Sequence, residues 1–365
     1  FTARYGQEYE VATGETVDIG AAGTAMRFLT AYFAICPGQT RLLTGTPRMQ
    51  QRPIGLLVDA LRSLGADIEY TKAEGFPPLR ITGRTLTASE VSLPGDVSSQ
   101  YISALLMIGP MLPGGLTLRL TGRVVSRPYI DLTIRLMEEF GAKVGWHHEG
   151  GLPTVRVEPL PYRPRAFTVE SDWSAASYWY EIAALADEAS IELPGLRADS
   201  HQGDSAVARL FEGLGVRTIY TEDGVLLEKC ERTARRLDYD FTDQPDLAQT
   251  FAVTCSLLGI PFRFGGLQSL KIKETDRMAA LIAEMRKLGY VLREEAGAVL
   301  CWEGERVAAC EAPVVDTYDD HRMALAFAPA SMRVCPLRIR DPHVVSKSYP
   351  HYWDDLSQAG FNCIY

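Results

Sequence analysis

Five times in 365 residues an amphipathic stretch ends on a glycine and runs into a short β-rich segment. The copies read RPIGLLVDALRSLGADIEY, RPYIDLTIRLMEEFGAKVGW, SAVARLFEGLGVRTIY, TDRMAALIAEMRKLGYVLRE and YPHYWDDLSQAGFNCIY. Their closing glycines, Gly65, Gly141, Gly215, Gly289 and Gly360, lie 76, 74, 74 and 71 residues apart. Val207, Leu210, Phe211 and Leu214 fall at i, i+3, i+4 and i+7, as do Met278, Leu281, Ile282 and Met285. That spacing gives a helix one apolar stripe. Glycine then supplies the left-handed residue a helix C-terminus prefers, and the runs after it, 66–70 and 216–220, predict strands.

A second series marches in step with the first. Apolar helices open at GTAMRFLTAYFAI, SSQYISALLMIGPML, WSAASYWYEIAAL, PDLAQTFAVTCSLL and DDHRMALAFAPASM, with Thr24, Ser99, Ser174, Asp246 and His321 as markers 75, 75, 72 and 75 residues apart. Ser, Thr and Asp there are expected as N-caps. The unit is therefore about 75 residues of strand–helix–strand–helix–strand composition. Continued backwards, the pattern places about 60 to 70 residues before Phe1. Six units would divide into two domains of three, 1–167 and 168–365, joined near PYRPRAF.

Repeats specify architecture and leave function to side chains. The 37 Lys+Arg against 46 Asp+Glu give a net charge of −9 without a basic block, a poor match for nucleic-acid binding. The longest apolar run, 104–112, is too short to span a bilayer. Seven cysteines without a CxxC pair argue for a reducing compartment, and six histidines show no metal-ligand spacing. A reducing compartment, without a disulfide framework or a zinc knuckle, is the expectation.

Cations nonetheless gather beside helix starts: Arg27, Arg48, Arg52, Arg127, Lys273, Arg277, Arg322 and Lys347. Each alone reads as a solvated surface charge. Together with the unpaired N–H groups of the helix N-termini they describe an anion site. Asp246 reads either as an N-cap or, with Glu274, as a proton acceptor or donor tuned by the neighbouring cations. Ser98, Ser99 and Gln100 offer hydroxyl and amide groups suited to a phosphate and a hydroxylated ring.

GAAGTAMR, LTGTPRMQQRPI, GDVSSQYISALL, VSRPYID, PDLAQT, KIKETDR, YDDHRMA and DPHVVSKSYPHYW, in that order, resemble the 5-enolpyruvylshikimate-3-phosphate synthase family over essentially the whole chain. The resemblance implies an α/β fold, the inside-out α/β barrel, with two domains each built from three βαβαββ units. It also implies transfer of the enolpyruvyl group of phosphoenolpyruvate to the 5-hydroxyl of shikimate 3-phosphate, without cofactor, in aromatic amino-acid biosynthesis. By motif, Ser98, Ser99, Gln100, Ser126, Tyr129, Asp246 and Lys273 would hold shikimate 3-phosphate. Arg48, Gln100, Arg277, Arg322 and Lys347, near Gly23 and Thr24, would hold phosphoenolpyruvate. Asp246, Glu274 and Lys273 would be catalytic.

The chain departs from the family pattern at Ala21 and Ser269, which stand where the family often has Asn, and at Phe28, where Pro is common. The family's Lys-Ser…Arg segment falls before Phe1, so a chain starting there is expected to be inactive. The sister transferase acting on UDP-N-acetylglucosamine carries a reactive Cys before its RP motif, and 45–52 has none. The other alternative is a truncated relative that only binds anions.

Overall fold

The computed structural model describes residues 16–364. The chain forms two compact units that meet between Ala166 and Phe167. Within them the βαβαββ pattern recurs. The first repeat comprises β1 (Thr16–Asp18), α1 (Gly23–Ala34), β2 (Thr40–Thr44), α2 (Gly55–Ser63), β3 (Asp67–Tyr70) and β4 (Leu79–Thr82). The second comprises β5 (Glu90–Pro94), α3 (Ser99–Ile108), β6 (Leu116–Thr121), α4 (Arg127–Glu139), β7 (Val144–Glu149) and β8 (Leu152–Val157). The second unit continues with α5 (Trp173–Leu185), β9 (Ser190–Pro194), α6 (Ala206–Glu212), β10 (Val216–Tyr220) and β11 (Gly224–Lys229). Then come β12 (Leu237–Asp240), α7 (Ala248–Leu258), β13 (Phe262–Gly265), α8 (Arg277–Lys287), β14 (Arg293–Glu295) and β15 (Val299–Trp302). The last described repeat holds β16 (Val314–Val315), α9 (His321–Phe327), β17 (Arg338–Ile339) and α10 (Tyr352–Gln358).

Three sheets share one plan, in the orders β1-β2-β4-β3, β5-β6-β8-β7 and β12-β13-β15-β14. In each, the first two strands are parallel across a helix and the last two add an antiparallel hairpin. Strands such as β5 and β6 alternate buried with more exposed residues, as a sheet does when one face meets helices and the other meets water.

The two helices of a repeat differ in kind. Helices α5 and α7 bury nearly every residue, so they are the central ones. Helix α4 buries Ile130, Ile134 and Met137, a single stripe. Each large apolar side chain sealed this way contributes about 1.5–3 kcal/mol. The first unit has its own core around Leu57, Ile102 and Leu118, and the second has one around Trp173, Phe251 and Phe262.

All five closing glycines have positive φ, from +85° at Gly141 to +106° at Gly65, just past the ends of α2, α4, α6, α8 and α10. The helix starts differ from expectation. The caps sit one or two residues before the markers: Ser98 accepts the Gln100 N–H, Asp172 that of Ser174, and Asp320 that of Arg322. Helix α1 follows Ala22 with no side-chain cap. Among the described residues no strand lies between β8 and α5. Pro161 and Pro164 lack ladder donors, and Val169 is 81% exposed. Among the described residues no helix is long and apolar enough to cross a membrane.

Candidate functional site

In the first unit the expected residues cluster at helix starts. Gly23 and Thr24 open α1, and the Gln100 amide donates to the Thr24 hydroxyl at 2.9 Å, joining the starts of α1 and α3. A Cβ on Gly23 would lie 2.7 Å from terminal nitrogens of both Arg27 and Arg52, so the two guanidiniums converge on that backbone. Ser98 caps α3 and Ser99 is its first residue. Ser126, at φ +53°, is the left-handed residue before α4, and Tyr129 donates its N–H back to the Ser126 carbonyl. Strain of this kind, about 1–3 kcal/mol, persists where the surroundings enforce it. Arg48 precedes a single 3₁₀ turn, Met49–Gln51.

Not every cation beside a helix start faces a cleft. Arg27 is 4% exposed, donates to the Gly23 carbonyl at 2.8 Å and lies over the Tyr101 ring, which makes it a brace for α1. Arg127 stacks 4.6 Å over Trp146 and pairs with Asp131.

In the second unit Asp246, Lys273, Glu274, Arg277, Arg322 and Lys347 form one network. Arg277, at the start of α8 and 1% exposed, is its hub. Its Nη1 donates to Asp246 at 2.8 Å and its Nη2 to Glu274 at 2.9 Å. Its Nε and Nη2 reach the two oxygens of Asp320 at 2.6 and 3.2 Å. Arg322, at the start of α9, donates to Asp246 at 3.0 Å and to the Tyr178 hydroxyl at 3.2 Å. Lys273 lies 3.4 Å from Asp246, and Lys347 pairs closely with Glu274. Asp246 is not an N-cap. It sits in the 3₁₀ turn Pro245–Leu247, and three cations claim its carboxylate in place of a backbone N–H.

Burial alone would raise the Asp246 pKa, but Arg322, Lys273 and Arg277 outweigh it and hold the carboxyl well below its ordinary range. Burial would lower the Arg277 pKa, and Asp320, Asp246 and Glu274 reverse that, so the guanidinium stays charged. Arg322 is held high in the same way, against burial, by Asp246, Tyr178, Asp204 and Asp172. His321, buried and beside Arg322, is pushed down to about 3 and is neutral. The site thus pairs carboxylates able to accept protons with clustered cations able to bind a polyanion. Among the described residues no three His, Cys, Asp or Glu side chains gather as a metal-ligand set.

Two participants escaped sequence reasoning. Asp320 is fully buried and binds both the Arg277 side chain and the Arg322 backbone N–H, at 2.9 Å. Its signal was its place just before a helix that opens on His321 and Arg322. Tyr178 lies on a helix buried all round and reads as core; nothing local marks its hydroxyl as a partner of Arg322.

Residues 1–356 match the family described as EPSP synthase (3-phosphoshikimate 1-carboxyvinyltransferase). A 3-phosphoshikimate 1-carboxyvinyltransferase of Bacteroides fragilis is 62% identical over 95% of this chain and 84% of its own length. One from Vibrio cholerae is 38% identical over 97% of this chain and 81% of its own. A solved EPSP synthase from Acinetobacter baumannii superposes with a TM-score of 0.71 at 21% identity, covering 95% of this chain and 79% of that one, which supports the fold. The chain belongs to the EPSP synthase family.

Proposed function

We propose that the protein transfers the enolpyruvyl group of phosphoenolpyruvate to the 5-hydroxyl of shikimate 3-phosphate and releases phosphate. Family membership supports the reaction. The single structural observation that carries it is the network joining Asp246, Glu274, Lys273, Arg277, Arg322 and Lys347.

In this reading Arg277, Arg322, Lys347 and Arg48 grip the carboxylate and phosphate of phosphoenolpyruvate, with Gln100, Gly23 and Thr24. Ser98, Ser99, Gln100, Ser126, Tyr129 and Lys273 hold shikimate 3-phosphate. Asp246 takes the 5-hydroxyl proton as that oxygen bonds to C2 of phosphoenolpyruvate. Glu274 delivers a proton to the methylene carbon, giving a tetrahedral ketal phosphate. The reverse movement, a proton leaving the new methyl group as the C2–O bond to phosphate breaks, gives the product. Forked guanidiniums suit charge developing on phosphate and carboxylate oxygens.

The ion pairs of the site bear on this chemistry. While Arg277 and Arg322 face Asp246, the carboxylate is a weak base. Substrate anions that take over those cations raise its basicity when the hydroxyl is in place. The two compact units would be the family's two domains, 1–167 and 168–365, acting as a cytoplasmic monomer without cofactor. The test is phosphate release by the full-length protein given both substrates. Release that needs both is expected; no release, or release from phosphoenolpyruvate alone, rejects the reading.

A further inference from the structure

Between β16 and α9 the chain turns through Thr317-Tyr318-Asp319-Asp320, and the Asp320 N–H donates to the Thr317 carbonyl at 2.9 Å. Tyr318 has φ +54° and Asp319 +56°. Positive φ at both central positions makes this a type I′ turn, which Asn-Gly or Asp-Gly adopts readily and a bulky aromatic does not. A turn so unsuited to its residues is held from outside.

The restraint comes from α8. The Tyr318 hydroxyl donates to Glu284 Oε1 at 2.6 Å, and Glu284 has no exposed surface. Glu284 Oε2 accepts the Asp316 N–H at 3.0 Å and pairs with Lys287 at 2.6 Å. Lys287 in turn reaches the Asp316 carboxylate at 2.8 Å and the Val314 carbonyl at 3.0 Å. Helix α8 therefore fastens both the entry and the crest of the turn. The Tyr318 side chain contributes through its hydroxyl more than through packing, because the residue is 42% exposed.

What the turn carries gives this tether its meaning. Its last residue, Asp320, grips Arg277 and caps α9, and two residues on is Arg322. Glu284 lies seven residues after Arg277, on the same face of α8. One helix thus presents Arg277 at its start and, two turns later, fixes the loop that presents Arg322.

We propose that Glu284 and Tyr318 are positioning residues for phosphoenolpyruvate: their hydrogen bond holds a strained turn in the one conformation that sets Arg322 and Asp320 against Arg277. The proposal rests on the assignment of these arginines as the phosphoenolpyruvate clamp. Neither Glu284 nor Tyr318 needs to touch substrate.

Tyr318→Phe in the full-length protein removes the bond and leaves the ring. The KM for phosphoenolpyruvate should rise about tenfold or more, because small misplacements of a clamp are costly. The KM for shikimate 3-phosphate and the melting temperature should stay near the parent values. Amide exchange at Asp320 and Arg322 should quicken. Adding Asp319→Gly, which accepts positive φ without strain, should recover most of the lost affinity. A phosphoenolpyruvate KM within twofold of the parent, an equal rise for both substrates, or no recovery with glycine overturns the proposal. A parent protein without turnover refutes the proposed function and the clamp role together, whereas unchanged amide exchange refutes the tether itself.

Discussion

Asp320 meets Arg277 side-on, its two oxygens 2.6 and 3.2 Å from Nε and Nη2, with neither residue more than 1% exposed. The grip turns Nη1 toward Asp246 and leaves Nη2 shared with Glu274. Asp320→Ala takes the partner from the buried Arg277 Nε, with Asp246 and Glu274 still paired to the other nitrogens, and uncaps α9, which should cost about 1–3 kcal/mol of stability. Asp320→Asn keeps a capping oxygen and should cost clearly less. Urea unfolding measures both; equal losses would count against a role for the cap, and an Asn variant as stable as the parent would count against a role for the charge.

Asp246→Ala or Glu274→Ala in the full-length protein should lower kcat by about 10²- to 10⁴-fold while disturbing substrate binding far less. Single-turnover rates beside ligand titrations separate the two effects. Wild-type kcat in either variant removes that carboxylate from proton transfer.

Lys347→Ala should raise the KM for phosphoenolpyruvate about tenfold to a hundredfold, the range for a hydrogen bond to a charged group. Arg322→Ala should do the same, and because it takes one cation from Asp246 it should also raise that carboxylate's basicity. Steady-state kinetics with each substrate varied in turn decides this; an unchanged KM excludes the residue from the clamp.

Much of this arrangement can be read in the sequence because it is local. Gly215 ends α6 and Val216–Tyr220 is β10, as the glycine signal and the β-rich run require. The paired cations and carboxylates of KIKETDR and DDHRM stand beside helix starts, where spacing alone suggests an anion site. What spacing could not show is which partner wins. Asp246 has the residue type of an N-cap, and three cations folded against it take its carboxylate. Arg127 looks as much like a substrate cation as Arg322 does, until Trp146 appears beneath it. The Tyr318 turn defeats sequence reasoning for the opposite reason, since its residues disfavour the conformation that Glu284 imposes.

Glu181 should make the fold less stable in alkali. It is fully buried on α5, neither carboxylate oxygen has a hydrogen-bond partner among the described residues, and burial pushes its pKa well above the ordinary value. The fold prefers the protonated form, so this contribution is intact below the unfolded pKa of about 4.3 and is lost as pH rises toward the folded value. Glu181→Gln should unfold at higher urea than the parent at pH 9, with the gap closing near pH 5. A gap independent of pH would show that the carboxyl does not titrate in this way.

His321 should act in the other direction. Its folded pKa of about 3 lies below the unfolded value of about 6.5, so stability is intact above pH 6.5 and declines as pH falls toward 3. His321→Gln should flatten that acid limb by a few kcal/mol. Parallel urea-stability curves for parent and variant between pH 7 and 4 would refute the assignment.

The five glycines that close the outer helices share one backbone geometry in unlike surroundings. Among the described residues, a methyl group at Gly360 would meet nothing within 4 Å, at Gly65 a single backbone nitrogen at 4.0 Å, and at Gly289 the Val307 carbonyl at 3.0 Å. Alanine at the first two would register the left-handed angle alone, roughly 1–2 kcal/mol, whereas at Gly289 collision would be added. Duplication has in effect supplied internal replicates, from which conformational and steric penalties can be told apart within one polypeptide.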